Sequence, residues 1–184
     1  GTVVRDEGFA GFRMYYATFC PPEPVHICLA ESDDGIQWHK PRLGLFEWGG
    51  LPDNNIVLDT PRGNDGASLA DINGDGYDEI LAGTKYNNVI AFSHTGQTLW
   101  RRTVGGSGVF ACPAVADIDG DGRLEIVVGV RDAGTDGNSL YVLNAQGDLL
   151  GAYPQSGDAN AAPAIADLDH DGLLEVISRS NNTV

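Results

Sequence analysis

Three observations on the chain predict an all-β fold of repeated four-stranded blades. One segment recurs three times, with Asp71, Asp117 and Asp167 as equivalent positions 46 and 50 residues apart, which is the mark of an array of supersecondary units. No stretch sustains an apolar period of 3.6 residues, so helix is not expected. The 25 glycines and nine prolines supply the tight turns that many short strands require.

In chain order, residues 12–19 and 25–30 read as strands. A turn at Ser32-Asp-Asp-Gly-Ile-Gln-Trp38 is expected to feed another strand, and residues 54–58 form a further one. In the first repeat, strands at 69–72 and 79–82 flank an acidic loop. Strands at 88–92 and 98–101 follow as a hairpin around Gly96. The second repeat has the same order, with strands at 114–118, 125–128, 139–143 and 149–153 and a turn at Gly147. The third repeat carries the loop and its two flanking strands.

Four strands in about 45 residues is the arithmetic of a β-propeller blade. The expected organisation is an N-terminal blade over residues 1–60 and three repeats over 61–184, namely 61–107, 108–158 and an incomplete 159–184. That is short of the roughly four to eight blades of a closed ring, so the propeller is expected to be partial or incompletely closed within this chain. The first expectation is a piece of a longer protein, in keeping with Gly1 where an initiator Met would stand. The second is an open edge completed by strand addition from a neighbouring molecule, which leads to self-association or filaments.

The chain carries 26 Asp and Glu against 11 Lys and Arg, a formal net charge of −15. Without a Lys/Arg cluster there is no footprint for phosphates, so nucleic acid is not an expected partner. No apolar run approaches the roughly 18 residues of a membrane-spanning helix, so membrane insertion is not expected. Cys20 and Cys28 flank a Pro-rich turn, but regular pairing around it puts Cys28 opposite a residue near Ala17. That register disfavours a Cys20–Cys28 disulfide, and buried thiols are the expectation.

The acidic loops carry the strongest chemistry. Oxygen ligands at positions 1, 3 and 5, a Gly for the sharp turn, a main-chain carbonyl at 7 and a carboxylate at 9 allow a short loop to wrap a hard cation. The expected side-chain ligands are Asp71, Asn73, Asp75 and Glu79; Asp117, Asp119, Asp121 and Glu125; and Asp167, Asp169, Asp171 and Glu175. Tyr77, Arg123 and Leu173 are expected to offer carbonyls. The expected cofactor is Ca²⁺ at three sites, because a flexible loop crowded with protein oxygens suits it better than Mg²⁺. Zn²⁺ is disfavoured because no His or Cys joins the set. His170 stands where the other loops have Gly74 and Gly120, outside the ligand positions, at a cost in backbone strain. The ligand positions take 11 of the 26 acidic residues, leaving a nearly balanced surface elsewhere.

The pattern of an apolar strand, Asp-x-Asp/Asn-x-Asp-Gly-x-x-Asp/Glu and a second strand ending in Gly resembles FG-GAP repeats, also written VCBS, of integrin α-chains and bacterial adhesins. The resemblance covers residues 61–184. The Phe-Gly that names the family is represented only by Val109-Phe110-Ala111, and the third copy ends its second strand in Ser178-Arg179. The resemblance implies calcium loops bracing a propeller that presents surfaces to partners.

The N-terminal segment resembles a blade of the five-bladed propeller glycosidases. The resemblance rests on Arg13-Met-Tyr-Tyr16, Ala30 to Trp38, Lys40-Pro-Arg-Leu-Gly44 and Asn54-Asn-Ile-Val57. Glycosidases need paired carboxylates about 5–10 Å apart. Asp6 and Asp33 are the candidates, and Asp33-Asp-Gly35 reads better as a hairpin turn, so no catalytic residue is assigned. Among the aromatic residues Trp48 is the candidate sugar contact, and Asn181 heads a glycosylation sequon.

The sequence therefore predicts a non-catalytic, extracellular, calcium-stabilised module for adhesion, assembly or display, with a protein or glycan ligand on a cell surface or matrix. A carbohydrate-active enzyme, glycosidase or calcium-dependent polysaccharide lyase, or a glycan-binding fragment of one, is the alternative.

Overall fold

The computed structural model describes residues 2–5, 10–19, 25–59, 67–133, 135–155, 157 and 159–180. The chain divides into two compact units, Gly1–Ala67 and Ser68–Val184. Every regular element among the described residues is a strand, and the sheets stay open, none closing into a barrel.

The first unit is one antiparallel sheet of β1 (Thr2–Arg5), β2 (Phe12–Phe19), β3 (Val25–Ser32) and β4 (Ile56–Asp59), in that order. Strand β3 is its buried spine, with Ile27, Cys28, Leu29 and Ala30 all in the core. Tyr16 faces Cys28 in the β2–β3 register, one place from the expected pairing. Cys20 lies outside the described residues. Asn55 ties the sheet together, its Nδ2 donating to the Tyr16 hydroxyl at 2.9 Å and to the Leu29 carbonyl at 2.7 Å.

The strand expected after Trp38 does not form. Only the single bridge between Glu31 and His39 is made there. Pro41 has no N–H to donate to a ladder, and Gly49 and Gly50 turn the chain at Trp48 with φ of 59° and 80°. The fourth place in the sheet is taken instead by β1, which the sequence did not mark as a strand.

The second unit contains two complete four-stranded meanders. The first is β5 (Ala67–Ala70), β6 (Glu79–Gly83), β7 (Asn88–Phe92) and β8 (Thr98–Thr103). The second is β9 (Ala114–Ala116), β10 (Glu125–Gly129), β11 (Leu140–Leu143) and β12 (Leu149–Tyr153). A two-stranded sheet of β13 (Ala164–Ala166) and β14 (Glu175–Ile177) begins the third repeat. Strands β6 and β10 are buried along their whole length, which is why they read as continuous apolar runs rather than as alternation. The outer strands β8 and β12 are largely exposed.

The core forms where the two meanders face each other, with Leu81, Val89 and Ala91 of one against Ile126, Val128 and Leu143 of the other. Trp100 reaches from β8 into this junction. Its indole Nε1 donates to the Ala145 carbonyl at 2.8 Å, and its ring lies so close to Gly147 that a Cβ there would meet it at 2.7 Å. Packing between blades is therefore the role the structure shows for Trp100.

The glycine ending the second strand of each complete repeat has a common task. The N–H of Val109 donates to the Thr84 carbonyl at 2.8 Å, and that of Ala159 donates to the Val130 carbonyl at 3.0 Å, so the chain entering each new repeat is laid against the previous one. A Cβ on Gly83 would meet the Val109 carbonyl at 2.7 Å, and one on Gly129 would meet the Ala159 side chain at 2.9 Å. The contact is with backbone and short side chains, which have no room to yield. Replacing Gly129 with Ala should therefore cost about 1–3 kcal/mol of stability, measured as a lower urea midpoint with unchanged m; a shift within experimental error would refute this account of the repeat junction.

Candidate metal centre

Each acidic loop joins the first strand of a repeat to the second. The loop backbone is wound around its own side chains. The first aspartate collects N–H groups from the far side of the turn. Asp71 accepts from Gly74 at 2.7 Å through Oδ1 and from Gly76 at 2.9 Å through Oδ2. Asp117 accepts from Gly122 at 2.9 Å, and Asp167 accepts from His170 at 2.7 Å and Gly172 at 3.1 Å. The aspartates at position 5 each accept the N–H two residues on, from Tyr77 at 2.9 Å, Arg123 at 2.8 Å and Leu173 at 2.8 Å. These are Asx-type turns, in which a short carboxylate replaces the missing backbone partner.

Position 4 requires the left-handed region, with φ of 77° at Gly74, 74° at Gly120 and 64° at His170. The strain expected at His170 is thus present in the third loop.

The glutamate at position 9 is also the first residue of the second strand, so the ladder pulls it inward. Glu79 and Glu125 are buried. In all three repeats one carboxylate oxygen accepts the N–H that follows the first aspartate: Ile72 at 3.2 Å, Ile118 at 2.8 Å and Leu168 at 2.8 Å. The other oxygen of Glu79 is buried with no hydrogen-bond partner, and so is Oδ1 of Asp117. A buried carboxylate oxygen left bare is costly. Burial first, then the charges of Asp75 and Asp71, pushes the Glu79 carboxyl above its ordinary range, against the pull of the Ile72 N–H. Glu125 is raised by the same order of causes, with burial first and the loop aspartates adding to it. A cation answers both problems, because it supplies the missing partner and offsets the mutual repulsion.

Three groups of ligand atoms converge to within 4.8 Å of one another among the described residues. They are Asp117, Asp119 and Glu125; Asp167, Asp169 and Glu175; and Asp75, Glu79 and His94. The second and third loops therefore gather the carboxylates of positions 1, 3 and 9, while Asp121 and Asp171 lie outside these tight groups. The first loop gathers positions 5 and 9. Its position 3 is Asn73, whose amide donates to Asp75 at 3.1 Å. His94, from the β7–β8 hairpin, corrects the expectation that no histidine joins a loop. The residue is 15 positions beyond Glu79 in sequence, and only the sheet brings it back. Its ring stacks on Tyr77 with centroids 4.3 Å apart and planes 25° from parallel.

The other sequence candidates are placed differently. Asp34 caps its own turn, accepting the N–H of Ile36 and of Gln37, each at 2.8 Å. These bonds, that from Gln37 first, hold its carboxyl below the ordinary range. The Asp33-Asp34-Gly35 segment is thus the turn it was expected to be. Trp48 is half-buried, its ring edge-on to His26 with centroids 4.3 Å apart. Asp6 and Asn181 lie outside the described residues.

Two substitutions test this geometry. His170→Gly relieves a left-handed residue and should raise stability by up to about 1 kcal/mol, read as a higher urea midpoint; a loss of stability would contradict it. Glu79 has a folded-state pKa above its ordinary value, so its contribution without metal is favourable at low pH and is lost as pH rises through the raised pKa. Glu79→Gln should therefore raise the melting temperature in chelator at neutral pH, lose that advantage below the carboxylate range, and fall below the unsubstituted chain in calcium. A variant less stable at neutral pH in both conditions would overturn this reading.

The FG-GAP-like repeat family model matches residues 71–128 and 117–178, the interval that contains the three loops. No curated protein matches the chain. Among solved structures it is similar to the biofilm matrix protein Bap1 of V. cholerae, at 21% identity and a TM-score of 0.61 over 96% of this chain. It spans 27% of the length of that protein, and at this identity the likeness shows a shared fold. With repeats of the family's pattern over most of its length and a blade built on each complete copy, the chain belongs to the FG-GAP-like repeat family.

Proposed function

We propose that this chain is a non-catalytic, extracellular module of adhesion or matrix assembly whose blades are braced by Ca²⁺ in the three acidic loops. The observation that carries the proposal is the bare, buried Oε1 of Glu79, at the base of a loop whose other oxygens already wind the backbone into a cradle. Calcium fits this donor set because it accepts many oxygens in irregular geometry, including main-chain carbonyls such as those of Tyr77, Arg123 and Leu173. The aspartates outside the tight groups, Asp71, Asp121 and Asp171, complete the coordination in this reading.

A location outside the cell fits this reading if the loops bind calcium as weakly as other extracellular calcium modules do. Extracellular calcium modules bind on the order of 10⁻⁴–10⁻³ M, so such loops fill in external medium and empty in cytosol. The similarity to a biofilm matrix protein supports the same setting. The partner class is a protein or glycan of a cell surface or matrix, met by loops that the rigid blades hold in place.

The test is a thermal melt of the purified chain in millimolar calcium and in excess EGTA. Three sites at about ten times their dissociation constant contribute roughly 4 kcal/mol together, which corresponds to a drop of roughly 10 °C on chelation. The same samples are then scored for retention on an extracellular matrix. Loss of both stability and retention in EGTA is expected, and an unchanged melting curve would sink the proposal.

A further inference from the structure

We propose that the cleft between the two complete repeats, at the ends of β6 and β10 opposite the acidic loops, binds an acidic glycan. Lys85 and Arg131 take a uronate carboxylate, and Asn87 and Asp132 take hydroxyls of the sugar ring. This gives the adhesion module a partner of stated chemistry and rests on that reading, while using none of the loop residues.

Three chain segments meet there. The Val109 N–H donates to the Thr84 carbonyl at 2.8 Å and the Arg131 N–H to the Gly108 carbonyl at 2.9 Å, which lays residues 107–109 between the ends of the two sheets. Each segment gives residues to a cationic and aromatic ledge and a neighbour to the cleft beside it. On the ledge, Lys85 Nζ lies 5.6 Å from the centre of the Tyr86 ring, and the Arg131 guanidinium lies 5.8 Å from that of Phe110. Gly108 joins the two pairs, since a Cβ there would meet the Phe110 ring at 2.5 Å and Lys85 Cα at 3.1 Å. The cleft encloses about 430 Å³, and Asn87, Gly105, Gly106, Ser107, Asp132 and Thr135 are among its walls.

That volume lies within the roughly 300–1,000 Å³ of ligand clefts, and walls of short polar side chains and glycine backbone suit a ligand rich in hydroxyls. Asn87 and Asp132 both hold left-handed backbone, with φ of 61° and 49°, and strain of this kind gathers at ligand clamps. The Ser107 hydroxyl donates to Asp132 Oδ2 at 2.6 Å and fixes that carboxylate at the rim. Charge then selects an acidic glycan. In a chain with 26 acids and 11 bases, Lys85 is in none of the ion pairs among the described residues, and Arg131 makes only an exposed contact of 4.0 Å with Asp132, which is worth little to the fold. Both cations rest on aromatic rings instead and keep N–H donors for an incoming carboxylate. The Tyr86 ring is itself 47% exposed and offers a surface to the sugar. Two cations are too few for the phosphate track of a nucleic acid, but they match a chain that carries single carboxylates spaced along sugar rings.

The experiment is binding of the intact chain, in millimolar calcium, to an array of short galacturonate, mannuronate–guluronate and hyaluronan chains, beside their carboxyl-reduced forms and a DNA oligonucleotide. Binding to at least one uronate chain, lost on its carboxyl-reduced form and weakened by salt, is expected. Lys85→Gln and Arg131→Gln, both at exposed positions, should each weaken that binding about tenfold. Asn87→Gly keeps the left-handed turn and should weaken it several-fold through loss of the amide. Arg101→Gln, on the exposed outer strand β8, should change nothing, and all four variants should melt with the unsubstituted chain. No binding to any uronate chain, equal binding to the carboxyl-reduced forms or to DNA, or binding that survives both cation variants overturns the inference. Failure here with an intact calcium response in the melt leaves the calcium brace standing. Uronate binding without any calcium response refutes the brace and keeps this site.

Discussion

Everything in the repeat unit depends on a carboxylate that is at once part of a strand and part of a loop. Glu79, Glu125 and Glu175 each open the second strand of their repeat, and each gives one oxygen to the N–H just beyond the first aspartate. That bond fastens the start of the loop to its end. In the two complete repeats the sheet carries the side chains of Glu79 and Glu125 inward, so their charge is desolvated whether or not a cation is present. Loop geometry, charge and sheet packing are thus coupled at one residue, and a cation bound there acts on the fold as well as on the loop.

A second constraint sets the spacing between repeats. Gly83 and Gly129 end the buried strands at the places where Val109 and Ala159 bring in the next repeat. The absence of a Cβ lets backbone meet backbone, so that the apolar faces of consecutive sheets come within packing distance. Trp100 then bridges the outer part of the same junction, with its ring against Gly147 and its N–H on Ala145. The loop braces the two inner strands of one repeat, and the glycine junction fixes one repeat to the next. Between the two complete repeats, the junction closes over one shared apolar core.

Much of this was legible in the sequence, for reasons that differ by element. Strands β2 and β7 have the residues expected of them because they are rich in aromatic and β-branched residues, and β12 does because the turn at Gly147 that precedes it sets its start. The loops were legible because alternate acidic residues followed by Gly encode a local structure, with bonds that span at most seven residues. Strand β1 was missed because a four-residue strand carries little pattern of its own and is defined by its pairing with β2. The strand expected after Trp38 was wrongly anticipated because propensity ignores what Pro41 removes: with no N–H there, the pairing begun by the bridge between Glu31 and His39 is not continued as a ladder.

The repeat, the strands of its complete copies and the cradle of each loop could be read along the chain, because they rest on contacts between near neighbours. Which oxygens are buried and bare, and the place of His94 beside the first loop, came from the fold. Both follow from the sheet, which folds the β7–β8 hairpin back over the loop and draws Glu79 out of water. No pattern of spacing along the chain carries that information, because the distance between two side chains across a sheet is set by pairing register and not by their separation in sequence.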